Sequence, residues 1–313
     1  MNGQSTDVMP AFSIVGYTMR DLTRARRQTL SVARSLSGRV GAGEMLLSSM
    51  RPLSDGSFEL LAQWPRQCPD NAAPEQDAEM LLVVETLRQA AIAVARGHFG
   101  AAHDAVFLLS RSAAELHAPR PLRTTAEKVV VTADVDRVRE IGGAVVSFRL
   151  TVSLRLGRVR YADADAHVRV VSRGDYARLR DGARRSDELA CAGAPDALPG
   201  LRLQRSFEDR HRPGNTWRLD IGSARSAHFA RPRDHLPITL LLAAVGVAGR
   251  ELTGWADASV AAMDLTFPDF LELDRPACVT LCPLRTTEQS ARFAVFFEQD
   301  DAPAVVGEIT LTR

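Results

Sequence analysis

The sequence predicts an α+β protein made of two copies of one unit, each an antiparallel sheet wrapped round a long apolar helix. Three observations lead there. Two stretches, about 77–97 and 238–249, are helix-compatible and too apolar to lie at a surface. Runs of period two surround both, as expected of strands with one buried and one wet face. The order strand, apolar helix, antiparallel strands occurs twice, offset by about 158 residues between Glu85 and Ala243.

Taken in order, residues 1–37 form an arginine-rich, helix-compatible segment whose Arg24, Arg26 and Arg27 suit a solvated face better than a nucleic-acid contact. The first repeat, 38–173, begins with short strands ending in SFELLAQW, then the helix from about Asp77 to Gly97. Strands return with AVFLLSR and KVVVTADV. The clearest β signal follows, where Val146, Phe148, Leu150, Val152 and Leu154 alternate with polar residues. Leu156-Gly157-Arg158 reads as a hairpin turn into the next strand. Residues 174–214 are rich in Arg, Asp, Gly and Pro and read as a linker holding a short helix. The second repeat, 215–313, restates the pattern: NTWRLD echoes SFELLAQW, and an apolar helix follows a proline-bearing lead-in. Four strand-like runs then close the chain. Strand, wrapped helix and antiparallel sheet is the hotdog arrangement, and two copies make a double hotdog.

Composition narrows the function classes. A chain of 313 residues with 45% hydrophobic and 25% charged residues can build sizeable cores without staples. Its net charge of +1 gives no global field to recruit nucleic acid or an anionic membrane. All basic residues but Lys128 are arginine, a bias that weakens any reading of a lone Arg. Cys68, Cys191, Cys278 and Cys282 have neither framework nor CxxC spacing, as in a reduced cytoplasmic protein. No secretory signal is visible, and the longest apolar run, Ile238 to Gly249, is shorter than the ~20 residues that span a membrane. GxSxG, P-loop, GxGxxG and HExxH motifs are lacking, so no redox cofactor is implied and a zinc site is not expected.

The chemistry gathers on the first helix. Glu85, Arg88 and Gln89 stand at i, i+3 and i+4, which stacks an acid, a cation and an amide on one face. Ionisable groups within an apolar helix need partners or a task. Two readings stand open. Glu85, partly desolvated and so raised in pKa, serves as a general base, with Gln89 as oxyanion donor and Arg88 and Arg66 gripping a phosphate. Alternatively Glu85 and Arg88 form a buried ion pair, with Gln89 capping strand edges.

AQWPR (Ala62 to Arg66), the later E-x-x-R-Q of Glu85, Arg88 and Gln89, and DHLP before the second helix together resemble the A-factor biosynthesis (AfsA-type) hotdog proteins. The resemblance runs from about Gly43 to the end. It implies transfer of a β-ketoacyl chain from acyl carrier protein to a hydroxyl acceptor such as dihydroxyacetone phosphate, in γ-butyrolactone or related secondary metabolism. It marks Glu85, Arg88 and Gln89 as catalytic and Trp64, Arg66, Asp234 and His235 as substrate-binding, with no metal or cofactor. Read from the residues alone, Asp234 is better placed to cap the second helix.

The chain departs from the family pattern at several points. Cys68 stands where the family has a histidine, and no histidine lies near Glu44. Ile238 replaces the glycine after Pro237. Ala243, Gly246 and Val247 occupy the glutamate, arginine and glutamine places of the second helix. The resemblance therefore implies at most one site in a two-repeat chain. Two further expectations follow from the lost set: altered thioester chemistry (dehydratase, thioesterase or cyclase), or acyl binding without turnover.

Overall fold

The computed structural model describes residues 30–31, 45–65, 77–117, 127–180, 202–206, 215–220, 235–273 and 275–313. Its first repeat contains β1 (Leu30–Ser31), β2 (Leu47–Ser54), β3 (Ser57–Trp64), α1 (Ala78–Gly97), β4 (Val106–Leu116), β5 (Glu127–Ile141), β6 (Ala144–Leu156) and β7 (Val159–Val171). A short helix, α2 (Arg173–Leu179), leads out of it. The second contains β8 (Arg202–Ser206), β9 (Asn215–Asp220), α3 (Ile238–Thr253), β10 (Ser259–Thr266), β11 (Ala277–Thr286), β12 (Ser290–Gln299) and β13 (Ala302–Thr312).

These strands form one antiparallel sheet in the order β1-β2-β3-β5-β6-β7-β4-β10-β13-β12-β11-β9-β8. Read inward from its two ends, β2-β3-β5-β6-β7-β4 has the same order as β8-β9-β11-β12-β13-β10. The repeats meet where β4 pairs with β10, Met263 opposite Ala114 and Leu265 opposite Ser112. Each helix lies against the inner face of its own half, and the two helices touch. This is the expected double hotdog.

Local chemistry accounts for the elements. α1 is rich in Ala and Leu, strong helix formers, and buries most of its length from Met80 to Ala95. α3 ends at Gly254, whose φ of 73° is left-handed and lets its N–H reach Arg250 O at 2.9 Å. In β6, Phe148, Leu150, Val152 and Leu154 point into the core as their alternation predicts. Gly157, at φ 59°, turns the chain into β7. β13 crosses β10 so closely that a Cβ on Gly307 would lie 2.0 Å from Asp264 O, so only glycine fits.

Two expectations change. Leu30 and Ser31, assigned to a helix-compatible segment, pair with Met50 and Ser49 as a strand. Arg202–Ser206, within the stretch read as linker, is β8 and pairs with β9. Both are too short for periodicity to show, and sheet pairing outweighs local propensity. The rest of the 1–37 segment lies outside the described residues.

Candidate active site

Trp64 ends β3 beneath α1, fully buried, and donates its indole N–H to Thr86 Oγ1 at 2.9 Å. Its ring meets Tyr161 edge-on at 5.7 Å. Tyr161 in turn donates its hydroxyl to Glu79 in the first turn of α1. The second repeat has a matching tryptophan. Trp217 of β9 donates to Glu251 of α3 at 2.9 Å. In both halves a buried indole pins the helix to its sheet. Trp64, expected to touch substrate, is instead enclosed in the core, because an indole is large, apolar and needs only one partner.

On α1 the three expected residues come together. Arg88 donates Nε to Glu85 Oε2 and a terminal nitrogen to Oε1, both at 2.9 Å. Gln89 Nε2 donates to Oε1 at 2.6 Å. Gln89's own carbonyl oxygen accepts from Leu46 N at 2.9 Å and Leu47 N at 3.3 Å. Glu85 is 12% exposed and Arg88 29%, so the pair borders solvent while Gln89 lies in the core. This is the ion-pair geometry of the alternative reading. Here Gln89 turns its amide to Glu85 and its carbonyl to the start of β2, and Arg88 closes its fork on Glu85.

One carboxylate is thus fixed in orientation by charge-assisted and neutral hydrogen bonds from its own helix. Farther along α1, Arg96 donates to His103 O at 2.7 Å, and its guanidinium is lowered in pKa by burial and by the nearby charge of Arg88. His98 and His103 are exposed beyond the helix end. Arg66, Asp234 and Cys68 lie outside the described residues. α3 has Pro237 at its N-cap, without a side-chain cap bond. His235 is half-buried just before it, its imidazole 5.1 Å from the ring of Phe270.

The equivalent face of α3 is filled. Asp77, at the N-cap of α1, makes no side-chain bond to its own helix; its carboxylate accepts from Arg250 of α3 at 2.8 and 3.0 Å. Asp77 is 1% exposed and Arg250 11%. Burial pushes the Asp77 carboxyl above its ordinary range, against the pull of Arg250. Space for it exists only because position 246 is glycine: a Cβ there would lie 2.3 Å from Asp77 Oδ2. Sequence reasoning missed this pair. Arg250, an ion on an apolar helix, carried the same signal that singled out Glu85.

A cleft of about 520 Å³ opens elsewhere, on the face of the sheet turned away from the helices and across the β4–β10 seam. Four of its acids are engaged: Asp163 by His117 and Arg160, Asp165 and Asp264 by Arg111, Glu308 by Arg292. It is a surface ion network, separate from Glu85. Among the described residues no cluster of His, Cys, Asp or Glu is arranged to hold a metal, and no helix is long and apolar enough to cross a membrane.

Two apolar helices wrapped by one antiparallel sheet, with a single acid–cation–amide set on the first, define a hotdog protein with one polar helix face. Residues 21–172 match the A-factor biosynthesis hotdog domain, and it is this part of the chain that is similar to that family. A 2-oxo-3-(phosphooxy)propyl 3-oxoalkanoate synthase of Streptomyces virginiae is 26% identical over 288 residues, covering 87% of this chain and 95% of that protein. A synthase of the same name from Streptomyces coelicolor is 25% identical over 279 residues, covering 87% and 88%. These relatives are enzymes, and the chain stands among enzymes with them. In fold alone it resembles a putative oleoyl thioesterase from Lactobacillus plantarum, with a TM-score of 0.50 and 11% identity over 81% of this chain and 96% of that one.

Proposed function

We propose that this protein is an acyltransferase that moves a 3-oxoacyl group from a carrier-protein thioester to the hydroxyl of a phosphorylated acceptor such as dihydroxyacetone phosphate. The observation that carries the reading is the Glu85 carboxylate, held by Arg88 and Gln89 on an apolar helix and left 12% exposed. The relatives' name supports the substrate class, since it describes an ester of a 3-oxoalkanoate with a 2-oxo-3-(phosphooxy)propyl group. Glu85 takes the proton of the acceptor hydroxyl as its oxygen attacks the thioester carbonyl. The carbon–sulfur bond breaks, and the carrier thiol leaves with the proton returned by Glu85.

Arg88 and Gln89 keep the carboxylate aimed, so they act in this reading as positioning residues. His235, Arg66 and Asp234 are assigned to hold the acceptor. Mass spectrometry of a β-ketoacyl carrier protein, incubated with and without dihydroxyacetone phosphate, tests the scheme. Acceptor-dependent loss of the acyl group, reduced on the order of a hundredfold or more by Glu85→Gln, is expected from the usual worth of a general base. An intact acyl carrier in every tube would sink it.

A further inference from the structure

We infer that Arg180, at the end of α2 in the segment between the repeats, is a positioning residue for His235; the inference rests on the reading of His235 as a substrate-holding group. Ser172 caps α2 by accepting from Asp175 N at 3.0 Å, and the helix delivers Arg180 to a buried place on the second repeat. There its guanidinium donates to both carboxylate oxygens of Glu272, at 2.5 and 2.6 Å. The pair is nearly enclosed, with side chains 10% and 12% exposed. Arg180 also lies over the ring of Phe270 at 4.7 Å.

Both residues that Arg180 grips are also the ones that meet His235. Phe270 faces the His235 imidazole, and it meets Tyr176 of α2 edge-on at 6.2 Å. Glu272 forms an isolated antiparallel bridge with His235, and Leu236 N donates to Leu271 O at 2.8 Å. Gln299 then locks the backbone of Glu272 from behind, accepting its N–H at 2.7 Å and donating to its carbonyl at 2.8 Å. The lead-in to α3 is therefore fixed in its main chain through Glu272 and in its ring through Phe270. Arg180 touches both Glu272 and Phe270. A merely connecting segment gains little by burying an arginine, because desolvating two ions offsets most of their attraction. Such pairs are useful where a single conformation must be specified.

The test uses the full chain with Arg180→Met, Glu272→Gln, His235→Ala and the Arg180→Met/His235→Ala double variant. Dihydroxyacetone phosphate affinity is measured by titration, and the His235 ring by proton–nitrogen NMR, assigned from the signals that His235→Ala removes. Arg180→Met is expected to weaken the acceptor on the order of tenfold, within the range that an ångström of misplacement produces. The double variant should bind no more weakly than His235→Ala alone, since a positioning residue acts only through its target. The His235 ring signals should shift or broaden in Arg180→Met and in Glu272→Gln, which keeps the shape and heavy-atom count of the side chain. Additive losses, or ring signals unchanged in a folded variant, would overturn the inference. A wild-type chain that binds no dihydroxyacetone phosphate would count against the acyltransfer reading, and the ring signals alone would then decide the role of Arg180.

Discussion

Gln89 has every polar atom of its side chain drawn toward structure: its amide to Glu85 and its carbonyl to two backbone N–H groups at the start of β2. Gln89→Leu leaves the buried Leu46 N–H unpaired, which costs about 1–3 kcal/mol. Denaturant unfolding should register that loss, with a fall in turnover of similar proportion because Glu85 loses one of its guides; full activity at lowered stability would make Gln89 purely structural. Asp77 gives a prediction with a sign in pH. Its folded pKa is raised, so its protonated form is the one the fold favours, and its contribution is lost as pH rises through that value. Arg250→Ala removes the charge that opposes this rise. The variant should be less stable by about 3–5 kcal/mol at neutral pH, the usual penalty of a buried pair broken on one side. The deficit should shrink as pH falls toward the ordinary aspartate value of 3.8. A deficit that stays constant between pH 7 and 4 would show that Asp77 does not titrate there.

At the scale of elements, α1 was legible almost to the residue. Its apolar run begins after Asp77 and ends at Gly97, as the pattern predicts. β6 and β7 were legible for the same reason: long alternation and a glycine turn leave little choice of register. β1 and β8 were not, since strands of two and five residues carry too few positions for a period. The acid–cation–amide set was legible as spacing, whereas the direction of each hydrogen bond was not. Helical spacing brings Gln89 beside Glu85, and only the sheet decides that Leu46 takes its other end. The Asp77–Arg250 pair joins residues 173 positions apart, beyond any local pattern.

For the whole molecule, the two halves share a strand order but not a polar face. A chain with one open polar helix face and one filled by its own aspartate should take one acyl group per polypeptide. Native mass spectrometry with a non-hydrolysable 3-oxoacyl pantetheine analogue should show a single adduct at saturation. Two adducts would mean that the second half also binds. The β4–β10 pairing makes this asymmetry possible, because one sheet holds the halves in a fixed relation and lets the start of α1 reach across to α3.

Gly246 makes the arrangement hard to undo one residue at a time. Any side chain placed there would drive its Cβ into the Asp77 carboxylate, so Asp77 and Arg250 depend on the vacancy that a lone hydrogen leaves. A single substitution meant to build a polar face on α3 meets a buried ion pair rather than an empty groove. Polar groups are therefore added to α3 only by moving Asp77 and Arg250 as well, whereas the Glu85 face of α1 accepts changes one at a time.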